Sequence, residues 1–140
     1  LELTAAYYDI GESEFKVRVK NKGNVNCYAQ ALIKDFELPL ETTTFGSTET
    51  ALIRAGKKGD IIIPQEVTKE DLESNEFVDV IVNFGERESS LVQTISETLE
   101  LKIIRFGKAL LIIAALIVLA IIFFLFFLYW RKKEKKGFDF

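Results

Sequence analysis

The stretch EFKVRVKNKGN, residues 14–24, carries the clearest fold signal in the chain, because its apolar and polar residues alternate. Phe15, Val17 and Val19 are separated by charged residues, which is typical of a β-strand with one face in a core and the other in water. The NKGN that follows predicts a turn in which Gly23 supplies a positive φ at little steric cost.

The same two-residue period continues along the first 103 residues. In NCYAQALIKDFEL, Cys27, Ala29, Ala31 and Ile33 fall on one face. Further strands are predicted in TETALIRAGKKGD (48–60), DIIIPQE (60–66), FVDVIVNFGERESS (77–90) and LVQTISETLELKI (91–103). About seven short strands, roughly ten residues apart with turn residues between them, predict an antiparallel β-sandwich.

One short segment, TKEDLESNE (68–76), departs from this period and predicts a single helical turn. Thr68 has the character of an N-cap, and Asp71 follows three residues later. The segment is rich in carboxylates, but it lacks the Asp-x-Asp-x-Asp-Gly spacing of a calcium loop. A solvated helical turn is therefore the better interpretation.

The segment FKVRVKNKGNVNCYAQALIKD, and above all Val19–Asn24, resembles the opening hairpin of CARDB-like domains, which are immunoglobulin-like modules of archaeal and bacterial surface proteins. The segments IRAGKKGDIIIP and FVDVIVNFGERESSL are similar to the middle strand and penultimate hairpin of that family. The resemblance covers most of residues 10–103 and implies an immunoglobulin-like fold. It implies no site, because Asn21 and Gly23 form a turn.

The run Ala109–Trp130 contains 22 residues without a charge, Pro or Gly. As a helix it would measure about 33 Å, close to the hydrocarbon thickness of a bilayer, about 30 Å. We therefore predict one transmembrane helix in residues 104–130, with a buried core helix as the alternative. Its lack of ionisable residues excludes a proton or ion path within this span alone.

The charges on either side of this run predict its orientation. Five cations follow it within residues 131–136, whereas only Arg105 and Lys108 closely precede it. The positive-inside rule places residues 1–103 outside the cell as one domain, and residues 131–140 in the cytoplasm as a basic tail. The residues expected at the membrane interface are Arg105, Lys108, Tyr129, Trp130, Arg131, Lys132 and Lys133. The start at Leu1 suggests either a processed N-terminus or a fragment.

Composition limits the partners and the chemistry of the outer domain. Residues 1–103 hold 11 basic and 19 acidic residues, a net charge of −8, which argues against nucleic acid as a partner.

Cys27 allows no internal disulfide and is expected in the core, with an intermolecular bridge as the less favoured alternative. The chain has no His, so Ser-His-Asp and Cys-His sites and zinc sites of the usual kind cannot form within it. We expect no catalytic residue, no metal and no cofactor.

Exposed apolar residues are the remaining sign of a partner. Tyr7 and Tyr8 are adjacent, so one of them should face outward, and Leu38, Leu40 and Phe45 lie in an expected loop. Tyr8, Leu38, Leu40 and Phe45 are therefore candidate partner contacts, unless they cap an open end of the sandwich.

These features predict a non-enzymatic accessory subunit anchored by a single helix in the cell membrane. Its outer domain would pack on other membrane or cell-surface proteins in a hetero-oligomeric complex. The short link IRFGK between the last strand and the apolar run supports this, because a flexible tether would be longer and more polar. The alternatives are a surface adhesion or envelope-anchoring protein, and a membrane enzyme whose active site is borrowed from a partner.

Overall fold

The computed structural model describes residues 1–105 and 107–137, and it gives the side chains of residues 1–105 and 110–134. The chain divides into two compact units, of which the first is Leu1–Arg105. The strands are β1 (Glu2–Asp9), β2 (Glu14–Lys20), β3 (Cys27–Glu37), β4 (Thr42–Gly46), β5 (Ala51–Ile53), β6 (Lys58–Pro64), β7 (Phe77–Gly85) and β8 (Gln93–Ile104). The helices are α1 (Lys69–Ser74) and α2 (Gly107–Gly137).

The eight strands form two layers of an immunoglobulin-like sandwich. One layer has the order β1-β2-β6 and the other the order β4-β3-β7-β8, with β5 paired to the start of β3. Two packed layers of mainly antiparallel strands are the architecture of an immunoglobulin-like sandwich. The prediction of a β-sandwich followed by one apolar helix is confirmed for the described residues, with eight strands within residues 1–105 in place of about seven.

The predicted antiparallel sandwich contains one parallel contact. β8 pairs antiparallel with β7 through residues 93–100, and its last residues, 101–104, pair parallel with β1. β1 and β8 therefore run toward the same end of the sandwich, and β8 joins the two layers. Alternation along a strand determines its faces, but it carries no information on the direction of its neighbour.

The core contains the residues whose alternation predicted it. Phe15, Val17 and Val19 are fully buried, and so are Ala29, Ala31 and Ile33 of β3. On the outer side of the same strands lie charged and polar residues. The predicted phase of β2 and β3 is therefore confirmed.

One turn and one strand differ from their predicted form. The positive φ expected at Gly23 is found at Gly56 instead, at 71°, in the turn between β5 and β6. The backbone N–H of Gly23 donates to the Asn21 side chain at 3.0 Å, so an Asx turn shapes this connection. In β3, Asp35 adopts a φ of 54° within a bulge, and Phe36 is thereby turned into the core.

The predicted helical turn is confirmed as α1. The Thr68 hydroxyl accepts a hydrogen bond from the Asp71 N–H at 3.2 Å, as an N-cap does. Leu72 is the buried residue of this helix and fixes it to the core. α1 belongs to the connection between β6 and β7, and Leu72 holds this connection against the core.

α2 contains the apolar run and continues beyond it. The helix extends to Gly137 and so includes Arg131, Lys132 and Lys133, which the sequence had placed in a tail. Within the described residues, one helical segment, Leu110–Glu134, is long and apolar enough to cross a membrane, with a mean hydropathy of 3.5. Its described side chains are exposed, which does not fit the alternative of a buried core helix.

Candidate interaction surfaces

Tyr8, which was predicted to contact a partner, belongs to the core of the sandwich. It is 2% exposed and packs edge-on against Phe15 with ring centroids 4.7 Å apart. Its hydroxyl donates to the Gln65 carbonyl and accepts from the Val67 N–H, each at 3.0 Å. Tyr8 therefore ties the connection after β6 to the core, and it does not lie on the surface.

Phe45 and Leu38 cap the core, and Leu40 is fully available at the surface. Phe45 lies on β4 rather than in a loop and stacks 5.8 Å from the ring of Phe15. Leu38 is partly buried against the same core. The Leu38 N–H donates to the Glu41 carbonyl at 2.8 Å, which closes a turn that leaves Leu40 99% exposed. Of the four candidate contacts, Leu40 alone projects freely.

Tyr7, and not Tyr8, contributes to the outer face of the β1-β2-β6 layer. The guanidinium of Arg18 lies 4.9 Å from the centre of the Tyr7 ring, and the ammonium of Lys102 lies 5.9 Å from it. Arg18 also donates two hydrogen bonds to the carboxylate of Asp60, at 2.9 and 3.3 Å. The hydrogen bonds from Arg18 and its attraction to Asp60 raise the guanidinium pKa above its usual value. Cations from β2 and β8, the two strands that flank β1, thus lie close to one aromatic ring.

Asp9 is the buried carboxylate of this domain, at 3% exposure, and it lies at the end of β1. Burial raises its pKa, but the hydrogen bond from Lys16 at 3.1 Å and that from the Glu12 N–H at 3.2 Å outweigh burial. The net result is a lowered pKa, so the carboxylate is held ionised. Both carboxylate oxygens of Asp9 accept hydrogen bonds from residues of the β1–β2 hairpin, so Asp9 stabilises the turn between β1 and β2.

Two buried asparagines also have structural partners. The amide of Asn21 donates to the carbonyls of Val25 and Ile53, and so joins the β2–β3 connection to the end of β5. Asn75 donates to the Glu37 carbonyl and accepts from the Glu37 N–H, which fastens the end of α1 to β3. Neither side chain presents a free polar atom to a ligand.

Cys27 is a small core residue. It is 8% exposed, and burial raises its thiol pKa above the usual value. Such a thiol is mostly protonated at neutral pH and is a poor nucleophile.

Large exposed apolar residues lie at both ends of the sandwich. We call the end at which β8 terminates the exit end, and it carries Ile10, Leu40 and Phe77. The Ile10 N–H donates to the carbonyl of Ile104, the last residue of β8, at 3.0 Å. The other end, which we call the far end, carries Val25 and Val92. Exposed apolar residues alone therefore do not show which end of the sandwich would contact a partner.

The open grooves on the domain are lined by polar and apolar residues together. One, of about 360 Å³, lies near the exit end and includes Asp35, Glu37, Glu76, Phe77 and Asp79 among its lining residues. Within the part of the chain that the structure describes, no group of three or more His, Cys, Asp or Glu side chains is arranged to hold a metal ion. These grooves thus have the form of surface features rather than of enclosed ligand cavities.

The predicted membrane-interface residues lie at the two ends of the apolar run. Tyr129, Trp130, Arg131, Lys132 and Lys133 are exposed along the last turns of α2. Arg105 is exposed directly after β8. Lys108 lies outside the residues whose side chains are described. Their contact with lipid stays a prediction.

No protein-family model and no curated protein matches this chain. Among solved structures, it is similar to the ligand-binding region of serine-glutamate repeat protein A (SgrA) of Enterococcus faecium, with a TM-score of 0.44 and 15% identity, covering 71% of this chain and 90% of that chain. It is also similar to a chain of the CsuC–CsuE chaperone–tip adhesion subunit pre-assembly complex from the archaic chaperone-usher Csu pili of Acinetobacter baumannii, with a TM-score of 0.36 and 18% identity, covering 72% of this chain and 53% of that chain. At these values neither similarity carries a functional assignment.

Proposed function

We propose that this chain is a single-pass membrane subunit whose β-sandwich lies outside the cell and packs on a larger membrane or cell-surface assembly. The observation that carries the proposal is the combination of a complete β-sandwich with an apolar helix that ends in a cluster of cations. The cations favour the cytoplasmic side for the C-terminus. The anchor would then keep the sandwich at the outer surface.

A binding role, rather than catalysis, is part of this proposal. The buried polar side chains Asp9, Asn21 and Asn75 are all used in internal hydrogen bonds. The sequence contains no His, and the thiol of Cys27 is buried. These facts support a domain that acts through its surface, because general acid–base and nucleophilic catalysis need reactive groups in contact with a substrate.

The short link between domain and helix favours a partner in the same membrane. Only residues 105 and 106 separate the end of β8 from the start of α2. A domain with so short a link has little reach away from its anchor, whereas an adhesive head needs a long or stiff stalk. We therefore favour lateral packing on a neighbouring protein over contact with a distant surface.

The test is purification of the full chain from its native membranes in a mild detergent. We expect a stoichiometric complex that survives gel filtration and contains at least one other membrane or surface protein. As a control, α2 is replaced by an unrelated apolar helix of the same length, which keeps the anchor and separates contacts made by the sandwich from contacts made by α2. Recovery of the wild-type chain as a free monomer would contradict the proposal.

The second candidate is a cell-surface adhesion or envelope-anchoring protein. The exposed Val25 and Val92 at the far end of the sandwich favour it, because that end lies opposite the exit of the chain toward the helix. The resemblance of Val19–Asn24 to CARDB-like surface modules is compatible with it. Binding of the purified monomer to cell-envelope material, lost on Val25→Asp with Val92→Asp, would favour this candidate over the first.

A further inference from the structure

One edge of the second layer has no neighbouring strand. β8 pairs with β7 along one side, and on its other side β1 covers only residues 101–104. β1 pairs with β2 along its whole length, from Glu2 to Asp9, but only Ala6–Asp9 also pair with β8. Within residues 1–105, the side of Gln93–Glu100 that faces away from β7 therefore has no paired strand. We call these eight residues the β8 edge.

The structure identifies which backbone groups of the β8 edge point outward. The Leu101 N–H donates to the Glu76 carbonyl on the β7 side, and the Ile104 carbonyl accepts from Ile10 on the β1 side. Successive residues of a strand direct their N–H and C=O groups to alternate sides. The outward groups of the β8 edge are therefore those of Thr94, Ser96, Thr98 and Glu100. Only water satisfies such groups unless a strand is added.

The β8 edge is longer than β4 and β6 and lacks the Lys, Gly and Pro residues that interrupt those two edges, although it carries Glu97 and Glu100. β4 is five residues long and ends at Gly46, and β6 contains Lys58, Gly59 and Pro64. Lys, Gly and Pro all weaken pairing with an added strand. Gln93–Glu100 contains none of these residues. The β8 edge is therefore the most favourable place on this domain for a further strand.

Side chains hold the β8 edge in place on β7. The Thr94 hydroxyl donates to the Asn83 side chain at 2.8 Å, and the Thr98 hydroxyl donates to the carboxylate of Asp79. An edge that is already ordered loses less conformational entropy when a strand is added.

The charge of the β8 edge selects among possible strands. Glu97 has the core-facing parity of Ile95 and Leu99, but it is exposed, and Glu100 is also exposed. A second copy of β8 would bring two more carboxylates, its own Glu97 and Glu100, to the interface between the paired strands, and like charges across strands are destabilising. A strand with Lys or Arg beside these positions would neutralise them.

We propose that the β8 edge binds an extended, basic segment of a partner protein as an added β-strand. This inference rests on the proposed function as an interaction subunit and names the element that makes the contact. Main-chain hydrogen bonds from the four outward residues supply affinity, and Glu97 and Glu100 supply selectivity for basic side chains.

The first experiment uses an eight-residue peptide of alternating Val-Val and Lys-Lys pairs, added to the full chain in a non-ionic detergent. Because Glu97 and Glu100 lie on opposite faces of β8, the peptide must present lysine on both faces of the added strand. We expect slower amide hydrogen exchange at residues 94, 96, 98 and 100, and binding at least tenfold weaker for the same peptide with Glu in place of Lys. Absence of binding, equal binding of the acidic peptide, or protection confined to other residues would overturn the proposal.

The matched variants are Ser96→Pro and Ser96→Val. Proline removes one outward N–H and leaves the hydrogen bonds to β7 intact, whereas valine keeps that N–H and favours a strand. We expect Ser96→Pro to weaken peptide binding at least tenfold, and Ser96→Val to bind as the wild type does. Equal binding by the proline variant would overturn the proposal.

Purification from native membranes separates this inference from the function on which it rests. If wild type forms a stoichiometric complex and Ser96→Pro does not, the β8 edge is the contact. If both form it, the edge proposal fails and the role as an interaction subunit stands. If wild type forms none, the proposed function fails, whatever the peptide binds.

Discussion

Asn21 shows how a single polar residue organises the far end of the sandwich. Its side chain accepts from Gly23 and donates to Val25 and Ile53, while its backbone pairs with Gly56 and Lys57. Two connections that are more than 30 residues apart in the sequence are joined at this one side chain. A buried group of this kind is costly to remove, since its partners then lose their hydrogen bonds without regaining water.

Asn21→Ala is therefore expected to lower the free energy of unfolding of the domain by about 1–3 kcal/mol. The measurement is chemical denaturation of the full chain in detergent, followed by circular dichroism. Asn24→Ala is the matched control, because Asn24 is an exposed asparagine in the same connection. Equal stability of the two variants would show that the hydrogen bonds of Asn21 contribute little.

Asp9 should make the stability of the domain depend on pH. Its pKa in the folded protein is lowered, so its contribution is complete above the unfolded-state pKa of about 3.9 and is lost as the pH falls toward the folded-state pKa. Asp9→Asn should be less stable than wild type at pH 7, since Lys16 loses the closer of its two carboxylate partners. The difference should shrink below about pH 4.

Thermal unfolding between pH 7 and pH 2 tests the prediction for Asp9. Glu12→Gln, which removes an exposed carboxylate from the same turn, should keep the pH dependence of the wild type. A difference between wild type and Asp9→Asn that stays constant over this range would contradict the prediction.

The strands follow from local alternation, but their irregular points do not. In β7, Val82 is fully buried, while the neighbouring Asn83 faces outward. By contrast, the bulge at Asp35 reverses the phase of β3, so that Phe36 enters the core and lies 5.3 Å from the ring of Phe45. The alternation of β3 predicts its first half, and packing against β4 decides the rest.

Val82→Asp and Asn83→Asp place the same charge on opposite faces of β7. We expect Val82→Asp to destabilise the domain by about 3–5 kcal/mol, because the carboxylate is buried without a partner. Asn83→Asp should cost much less, since it stays at the surface and accepts the same hydrogen bond from Thr94. Calorimetry of the two variants measures the difference, and similar losses would show that the assigned faces of β7 are wrong.

At the scale of the whole molecule, the chain combines an acidic sandwich with an apolar helix followed by cations. Each unit has its own source of stability. The sandwich buries one contiguous apolar core, whereas the described side chains of α2, residues 110–134, are exposed and would be stabilised by lipid. Membrane attachment should therefore be separable from folding of the domain.

Arginine at both Leu116 and Leu119 should release the chain from the membrane. Each arginine near the centre of the span costs about 2.5–3.5 kcal/mol of insertion free energy, and the 16 Leu, Ile, Val and Phe residues of the run contribute about 5–10 kcal/mol. The fraction that resists alkaline extraction should fall strongly for this variant. It should be unchanged when both residues are Phe, and full retention of the arginine variant would contradict the predicted span.

Some of this structure follows from sequence because it depends on neighbours within a few residues. The phase of β2, the Thr68 cap and the apolar run that forms α2 all belong to this class, since periodicity and capping are local properties. Among the candidate surface residues, Leu40 was predicted, together with Leu38 and Phe45, from its place in an expected loop.

The tertiary structure alone decided what depends on pairing between distant strands. Tyr8 and not Tyr7 is buried because β1 pairs in a particular register with β2, and a one-residue shift would exchange the two rings. β1 pairs in parallel with residues 101–104, which lie more than 90 residues away in the sequence. Because this contact covers only the end of β8, it leaves the β8 edge open. Such contacts are set by the packing of two layers around a common core, and no local pattern encodes them.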